Sequence, residues 1–280
     1  MMVGGAVAAR DGPIDWFWLA VTGVALFGME VAKNAWGDVY DYDSGTDLAV
    51  APADRTPFSG GKRVLVDGLL TRGQTWSMAF GFGGVACALG AWIVFAHAPE
   101  ALWIGLVGLV LGWSYHGPPL RLAYRGFGEL DVLLCYGPLI SLATYVVQRR
   151  AFAIDVVWLS LPLGLFTAAF LLANEFPDHA ADAATGKRNL VVRLGKPAAA
   201  RLLAAAYAVG FALVAALPLA GFPAMVLLGL APLPLAAWAG WRVLREPETF
   251  HRRAPVQPVA LLVFVLYAAL AMVGVLLGRT

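Results

Sequence analysis

Two short stretches of the 280-residue chain combine asparagine and aspartate at helical spacing, and they are its strongest candidates for chemistry. The first motif comprises Asn34, Asp38 and Asp41, and the second motif comprises Asn174, Asp178 and Asp182. Spacings of i, i+4, i+7 and of i, i+4, i+8 place each trio on one face of a helix. Like charges one turn apart destabilise a helix unless a cation neutralises them. The two motifs therefore predict two halves of one cation site.

The ligand types indicate which cation this site would take. Carboxylate and amide oxygens without thiolates suit Mg²⁺, which usually bridges a few carboxylates to phosphate oxygens. Phosphate also attracts basic groups. The loops expected on the same side of the protein as the two motifs supply Lys62, Arg63, Arg121, Arg125, Lys187 and Arg188. Solvated loop ends joined by salt bridges are the alternative interpretation. Two matched motifs beside basic loops favour a site for Mg²⁺ and a diphosphate.

The rest of the chain is far too apolar for a soluble domain. Hydrophobic residues make up 60% and charged residues 14%, whereas soluble proteins average about half and a quarter. A membrane-spanning helix needs about 20 apolar residues. Such runs are found at 16–40, 74–97, 99–116, 129–148, 155–181, 197–220, 222–244 and 255–278. The sequence therefore predicts an all-α membrane bundle with eight full spans.

The first nine residues are apolar but too short to cross a bilayer. They are followed by the turn-forming stretch 10–15, so we expect them to pack as a partial helix antiparallel to the 16–40 span. Such a segment would be the second half of a ninth helix. A short amphiphilic terminus is the alternative.

The basic residues predict how the bundle is oriented. Segments 42–73, 116–128, 182–197 and 245–254, with the adjoining helix ends, carry 16 of the 20 Lys and Arg residues. Positive charge accumulates on the cytoplasmic side of membrane proteins. We therefore expect an integral protein of the cell (inner) membrane whose motif-bearing loops face the cytoplasm.

In these motifs the chain resembles the UbiA superfamily of intramembrane prenyltransferases. Within it, four stretches resemble the 1,4-dihydroxy-2-naphthoate prenyltransferase (MenA-like) branch. They are 38–47, 58–61, 118–129 and 186–195. The resemblance covers essentially the whole chain, so residues 1–280 are expected to form one transmembrane domain.

The resemblance implies an architecture and a set of site residues. It implies nine transmembrane helices, here with a truncated first one, around a central cavity open sideways to lipid. It implies that Asn34, Asp38, Asp41, Asp178 and Asp182 are catalytic and hold two Mg²⁺ ions. Arg121 and Lys187 fall on diphosphate-binding positions, with Arg125, Lys62 and Arg63 as further candidates. Tyr115 falls near a loop tyrosine, and with Asn174 it is expected to line the acceptor cavity.

The implied activity is transfer of a polyprenyl group from its diphosphate to an aromatic acceptor. The branch indicates 1,4-dihydroxy-2-naphthoate and menaquinone biosynthesis, while 4-hydroxybenzoate, homogentisate and a lipid alcohol remain alternatives. A cation-coupled transporter could use the same carboxylates, but it would need them at broken helices near the membrane midplane. The sequence leaves prenyl length and oligomeric state open, and it indicates no nucleic-acid partner.

Overall fold

The computed structural model describes residues 1–59 and 63–278, and within these ranges it is helical and contains no strand. Nine helices are labelled in chain order. They are α1 Met2–Asp11, α2 Trp16–Asp43, α3 Arg72–Ala96, α4 Ala101–His116, α5 Gly128–Arg149, α6 Ile154–Ala184, α7 Lys196–Ala220, α8 Ala224–Arg245 and α9 Val256–Leu277. Short helical turns interrupt the loops between them, at Thr46–Ala49, Pro52–Asp54, Leu122–Tyr124, Leu190–Leu194 and Phe250–Arg253.

In the described part of the chain, seven helices are long and apolar enough to cross a membrane, namely α2, α3 and α5 to α9. The remaining predicted span, 99–116, is shorter than expected. Pro99 and Glu100 form the turn after α3, so α4 begins only at Ala101 and has 16 residues. At 1.5 Å per residue it rises about 24 Å, less than the roughly 30 Å of hydrocarbon.

Loop contacts separate the bundle into two ends. At the motif end, the Thr46 and Thr185 hydroxyls lie 2.8 Å apart and join the loops that follow α2 and α6. At the opposite end, Arg10 pairs with Asp155 at 2.8 Å, and the Asp15 amide donates to Gln148. The chain therefore brings alternate loops to the same end, as the distribution of basic residues predicts.

Helix α1 lies inside the bundle. Val3, Val7 and Ala8 are completely buried. The helix packs mainly against α9 and α5, with fewer contacts to α6. Its close approach to α5 is possible because Gly4 has no side chain to meet the Ser141 backbone. The prediction of a packed helical segment is confirmed. Its expected neighbour was wrong, since its principal contacts are not with α2.

Helix α6 carries the second motif and lies deepest in the bundle. Its Phe166 and Phe176 are fully buried, and the Tyr267 hydroxyl of α9 donates to the Leu159 carbonyl at 2.7 Å. A Cβ at Gly164 would lie 2.4 Å from a backbone oxygen of α5, so only glycine permits this approach. Small residues commonly allow such contact between membrane helices. This packing fixes α6 against α5 and so positions its motif.

Helix α5 changes partner at a widened turn. Residues Cys135–Leu139 form a π-helical turn around Pro138, which cannot donate a backbone hydrogen bond. Before and within this turn α5 packs on α6, whereas the half from Ile140 to Arg149 packs chiefly on α1. Arg149 then donates to the carbonyls of Ala8 and Pro13.

Candidate active site

A cavity of about 470 Å³ opens at the motif end, between α2 and α6. Its lining contains every member of the two motifs: Asn34, Asp38, Asp41, Asn174, Asp178 and Asp182. Tyr115 also lines the cavity, as predicted. Positions 140 apart in the chain thus face one shared space.

The two motif helices end alike. After α2 comes Ser44 and then Gly45 at φ +82°, and after α6 comes Thr185 and then Gly186 at φ +79°. Glycine adopts this left-handed conformation without a steric penalty, so each helix stops sharply beyond its last carboxylate. The hydrogen bond between Thr46 and Thr185 then holds the two ends together.

Asp41 of the first motif makes several contacts with other parts of the chain. The Tyr124 hydroxyl donates to Oδ1 at 2.6 Å, and the Lys187 Nζ lies 2.9 Å from Oδ2. His116 Nε2 is 3.8 Å from the same oxygen. Asp41 is therefore held by groups from three different segments of the chain.

Lys187 also reaches the second motif, since its Nζ lies 3.9 Å from Asp182 Oδ1. Asn189 fixes Asp182 by donating to Oδ2 at 2.7 Å, and its own oxygen caps the turn Leu190–Leu194. Burial opposes the charge of Lys187, but Asp41 and Asp182 outweigh it and raise the pKa of the ammonium. One ammonium therefore joins the two motifs.

Some buried oxygens of this site accept no hydrogen bond. Asp178 Oδ1 and Asp182 Oδ1 are buried and accept no hydrogen bond, and Glu175 Oε2 is in the same state. Buried carboxylate oxygens are costly unless paired. Across 1–59 and 63–278, no three His, Cys, Asp or Glu side chains converge closely enough to form a metal site on their own. The donor set nevertheless fits a hard cation, because it consists of carboxylate and amide oxygens around one cavity and two of these carboxylate oxygens accept no hydrogen bond.

The other predicted basic residues divide into two groups. Arg63 lines the cavity and pairs with Asp67 at 3.0 Å. Arg121 and Arg125 do not appear in the lining. The Arg121 guanidinium stacks 4.3 Å from the centre of the Tyr124 ring, and Arg125 donates to the Pro119 carbonyl. Lys62 lies outside the described residues.

Comparison with known proteins identifies the family. Residues 1–256 match the UbiA prenyltransferase family. The chain belongs to this family. A relative from Bacillus subtilis (strain 168), named 1,4-dihydroxy-2-naphthoate octaprenyltransferase, is 28% identical over 193 residues. The match spans 69% of this chain and 60% of that relative's length.

Two solved structures share the UbiA fold. The apo structure of a UbiA homolog from Aeropyrum pernix K1 has a TM-score of 0.69 at 18% identity, covering 97% of this chain and 95% of that one. A UbiA homolog from Archaeoglobus fulgidus, solved bound to GPP and Mg²⁺, has a TM-score of 0.58 at 14% identity. That likeness covers 98% of this chain and 94% of the homolog.

Sequence reasoning missed several residues that line this UbiA-type cavity. They are Glu30, Lys33, Asp47, His116, Tyr136 and Glu175. Glu30 and Lys33 lie within an apolar span, where ionisable residues indicate function, so their position was a usable signal. Asp47 was visible only as part of a loop. Burial and the nearby charge of Asp41 raise its pKa to about 6.

Proposed function

We propose that this protein transfers a polyprenyl group from a polyprenyl diphosphate to an aromatic acceptor, with 1,4-dihydroxy-2-naphthoate as the preferred acceptor. The observation that carries the proposal is the convergence of both motifs and Lys187 on one cavity. The name of the Bacillus relative supports the acceptor, and the GPP and Mg²⁺ of the Archaeoglobus homolog support the donor.

The first and second motifs would hold Mg²⁺, two ions in our proposal, through Asn34, Asp38, Asp41, Asp178 and Asp182. When bound, the metal supplies electrostatic stabilisation for the diphosphate that leaves the allylic carbon. Asp178 Oδ1 and Asp182 Oδ1 support this assignment, because neither accepts a hydrogen bond and the Lys187 ammonium stands 3.9 Å from the Asp182 oxygen.

The remaining side chains bind and position the substrates. Lys187 and Arg63 would contact the diphosphate oxygens. The allylic carbon–oxygen bond breaks with its electron pair going to the diphosphate, and an electron pair of the acceptor ring forms the new carbon–carbon bond. The naphthoate then loses its carboxylate as CO₂, and the electron pair of that broken bond restores the aromatic ring. Phe170, Leu171 and Val132 provide apolar wall in the same cavity, which would keep water from the allylic cation.

We further propose that α1 to α9 form the nine-helix domain of the family, with this cavity at its centre and open sideways to lipid. The 16 basic residues on the motif side support a position in the cell membrane with the motif end in the cytoplasm. A lipid-soluble prenyl donor would then reach the site from the bilayer.

The decisive experiment is transfer by purified protein supplied with Mg²⁺ and labelled geranylgeranyl diphosphate. The acceptors tested should be 1,4-dihydroxy-2-naphthoate, 4-hydroxybenzoate and homogentisate. We expect the naphthoate to be prenylated and Asp38→Ala or Asp182→Ala to abolish transfer, since each removes a ligand worth several kcal/mol in the transition state. Asp155→Ala, at the opposite end of the bundle, is the control. Near wild-type transfer by either motif variant would refute the assigned site.

A further inference from the structure

A second cavity adjoins the one that holds the motifs. It encloses about 370 Å³ between α2, α3, α4 and α5, and almost all of its wall is apolar. The two cavities share Glu30, Lys33 and Tyr136 in their linings. These three residues, here called the triad, therefore stand where the polar and the apolar spaces meet.

The triad is a connected polar group. The Tyr136 hydroxyl donates to Glu30 Oε2, and the Lys33 ammonium donates to the Tyr136 oxygen at 2.5 Å. Lys33 and Glu30 are 3.3 Å apart, and Asn34 of the first motif donates to Glu30 Oε1 at 2.9 Å. Lys33 also lies 5.7 Å from the centre of the Tyr115 ring. The triad is thus linked directly to the first motif and to the aromatic wall of its cavity.

The triad lies at a depth in the membrane where charged side chains are energetically unfavourable, which argues against a purely structural role. Glu30 lies about halfway along α2, so its carboxylate and its partner Lys33 sit near the middle of a helix that crosses the membrane. Charges at this depth are costly and normally mark a substrate or ion path. The Glu30 side chain is nevertheless 44% accessible, because it faces the cavities. A ligand in either space can reach it.

We propose that the triad binds the aromatic acceptor, with Lys33 paired to the acceptor's carboxylate and Glu30 accepting a hydrogen bond from the adjacent ring hydroxyl. This rests on the proposed function. An ammonium 3.3 Å from a carboxylate complements a ligand that carries a carboxylate beside a hydroxyl. The ring would lie against Tyr115 and Tyr136 at the mouth of the apolar cavity.

The prenyl tail of the donor does not fit the triad. It carries no polar group, so it would offer the accessible Glu30 carboxylate and the Lys33 ammonium no hydrogen bond in exchange for the water it displaces. The acceptor does fit by distance as well. Asp38 lies eight positions after Glu30, a rise of about 12 Å along α2, which leaves room for an aromatic ring between the triad and a diphosphate at Asp38.

The test compares two acceptors that differ only in the carboxylate. For wild type, Lys33→Met and Lys33→Arg, the KM is measured for 1,4-dihydroxy-2-naphthoate, for 1,4-dihydroxynaphthalene and for geranylgeranyl diphosphate. Lys33→Met should raise the KM for the acid about tenfold or more, as loss of a charged pair requires. The KM for the diol and for the diphosphate should change less than about threefold. Lys33→Arg should recover part of the loss, and Lys196→Met, at the start of α7, is the matched control.

Equal KM increases for acid and diol, an effect on the diphosphate alone, or no effect at all would each overturn the proposal. If the triad had only a structural role, Lys33→Met would raise the KM for all three substrates together. If a variant shows no turnover, its equilibrium affinity for the naphthoate is measured instead, in the absence of the diphosphate. Equal affinity of wild type and Lys33→Met for the acid would again overturn the assignment. If wild type prenylates no hydroxyaromatic compound, the proposed function fails, and this binding measurement still decides the role of Lys33.

Discussion

Replacing Lys187 by methionine should destabilise the protein, because the carboxylates of Asp41 and Asp182 would then repel each other without an ammonium between them. The ammonium lies 2.9 Å from Asp41 and 3.9 Å from Asp182, and only 15% of its side chain is accessible. At an effective dielectric constant of about 20, these distances correspond to attractions of about 6 and about 4 kcal/mol before desolvation. Removing one partner of a buried pair costs about 3–5 kcal/mol net, because the remaining charges are left uncompensated.

The assay is thermal unfolding of purified protein in detergent, with EDTA or with Mg²⁺. In EDTA, Lys187→Met should unfold roughly 10 °C below wild type, given about 2–4 °C per kcal/mol for a chain of this size. Mg²⁺ should restore much of this loss and should raise the Tm of the variant more than that of wild type. The added cation would take the place of the missing ammonium between the two motifs.

Lys196→Met provides the comparison, since its partner Glu248 is largely exposed and surface pairs contribute about 0–1 kcal/mol. The reasoning is refuted if Lys187→Met and Lys196→Met unfold together with wild type in EDTA. It is also refuted if Mg²⁺ leaves the Lys187→Met midpoint unchanged, because the two carboxylates would then have no affinity for a cation.

Two further variants test the packing and the loops. Gly164→Ala should lower the Tm or the folded yield sharply, because its Cβ would meet the α5 backbone at 2.4 Å. Gly81→Ala is the control and should be neutral, since open space surrounds that position. Similar melting curves for the two variants would contradict the packing argument. At Asp54, burial favours the neutral acid, but hydrogen bonds from His251 and Arg252 outweigh it and lower the pKa. The resulting stabilisation is present above the unfolded pKa of about 3.9 and is lost as pH falls through the lower folded value. Wild type should therefore lose more stability than Asp54→Asn between about pH 5 and pH 3, and parallel losses in the two proteins would count against this linkage.

The sequence was most informative where the relevant information is local. Helical spacing placed each motif on one face, and charge alternation paired the loops correctly, because both depend only on residues near one another in the chain. The convergence of Asp41, Asp182 and Lys187 could be anticipated from their chemistry. Which carboxylate Lys187 approaches more closely could not be predicted, since this depends on how α2 and α6 pack.

The positions of Arg121 and Arg125 show where such reasoning stops. Arg121 takes φ +47° and turns its guanidinium onto Tyr124, so a basic residue in a loop at the motif end need not line the cavity of the motifs. A role for both arginines in binding diphosphate stays a prediction. Conversely, Lys33 and Glu30 were passed over although their i, i+3 spacing within an apolar span was a local signal. What the sequence could not show is that both contact Tyr136 from a distant helix.

The widened turn of α5 holds one residue more than a regular helical turn would hold at the same place. A single deletion within Cys135–Leu139 would therefore convert it to a regular turn and leave the half beyond it in nearly the same orientation, so that Arg149 could still reach the carbonyls of Ala8 and Pro13. A single deletion within 140–147 has no widened turn to absorb it and would rotate the residues beyond it by about 100°. We therefore expect α5 to tolerate the loss of one residue at its widened turn far better than the same loss in the half that follows.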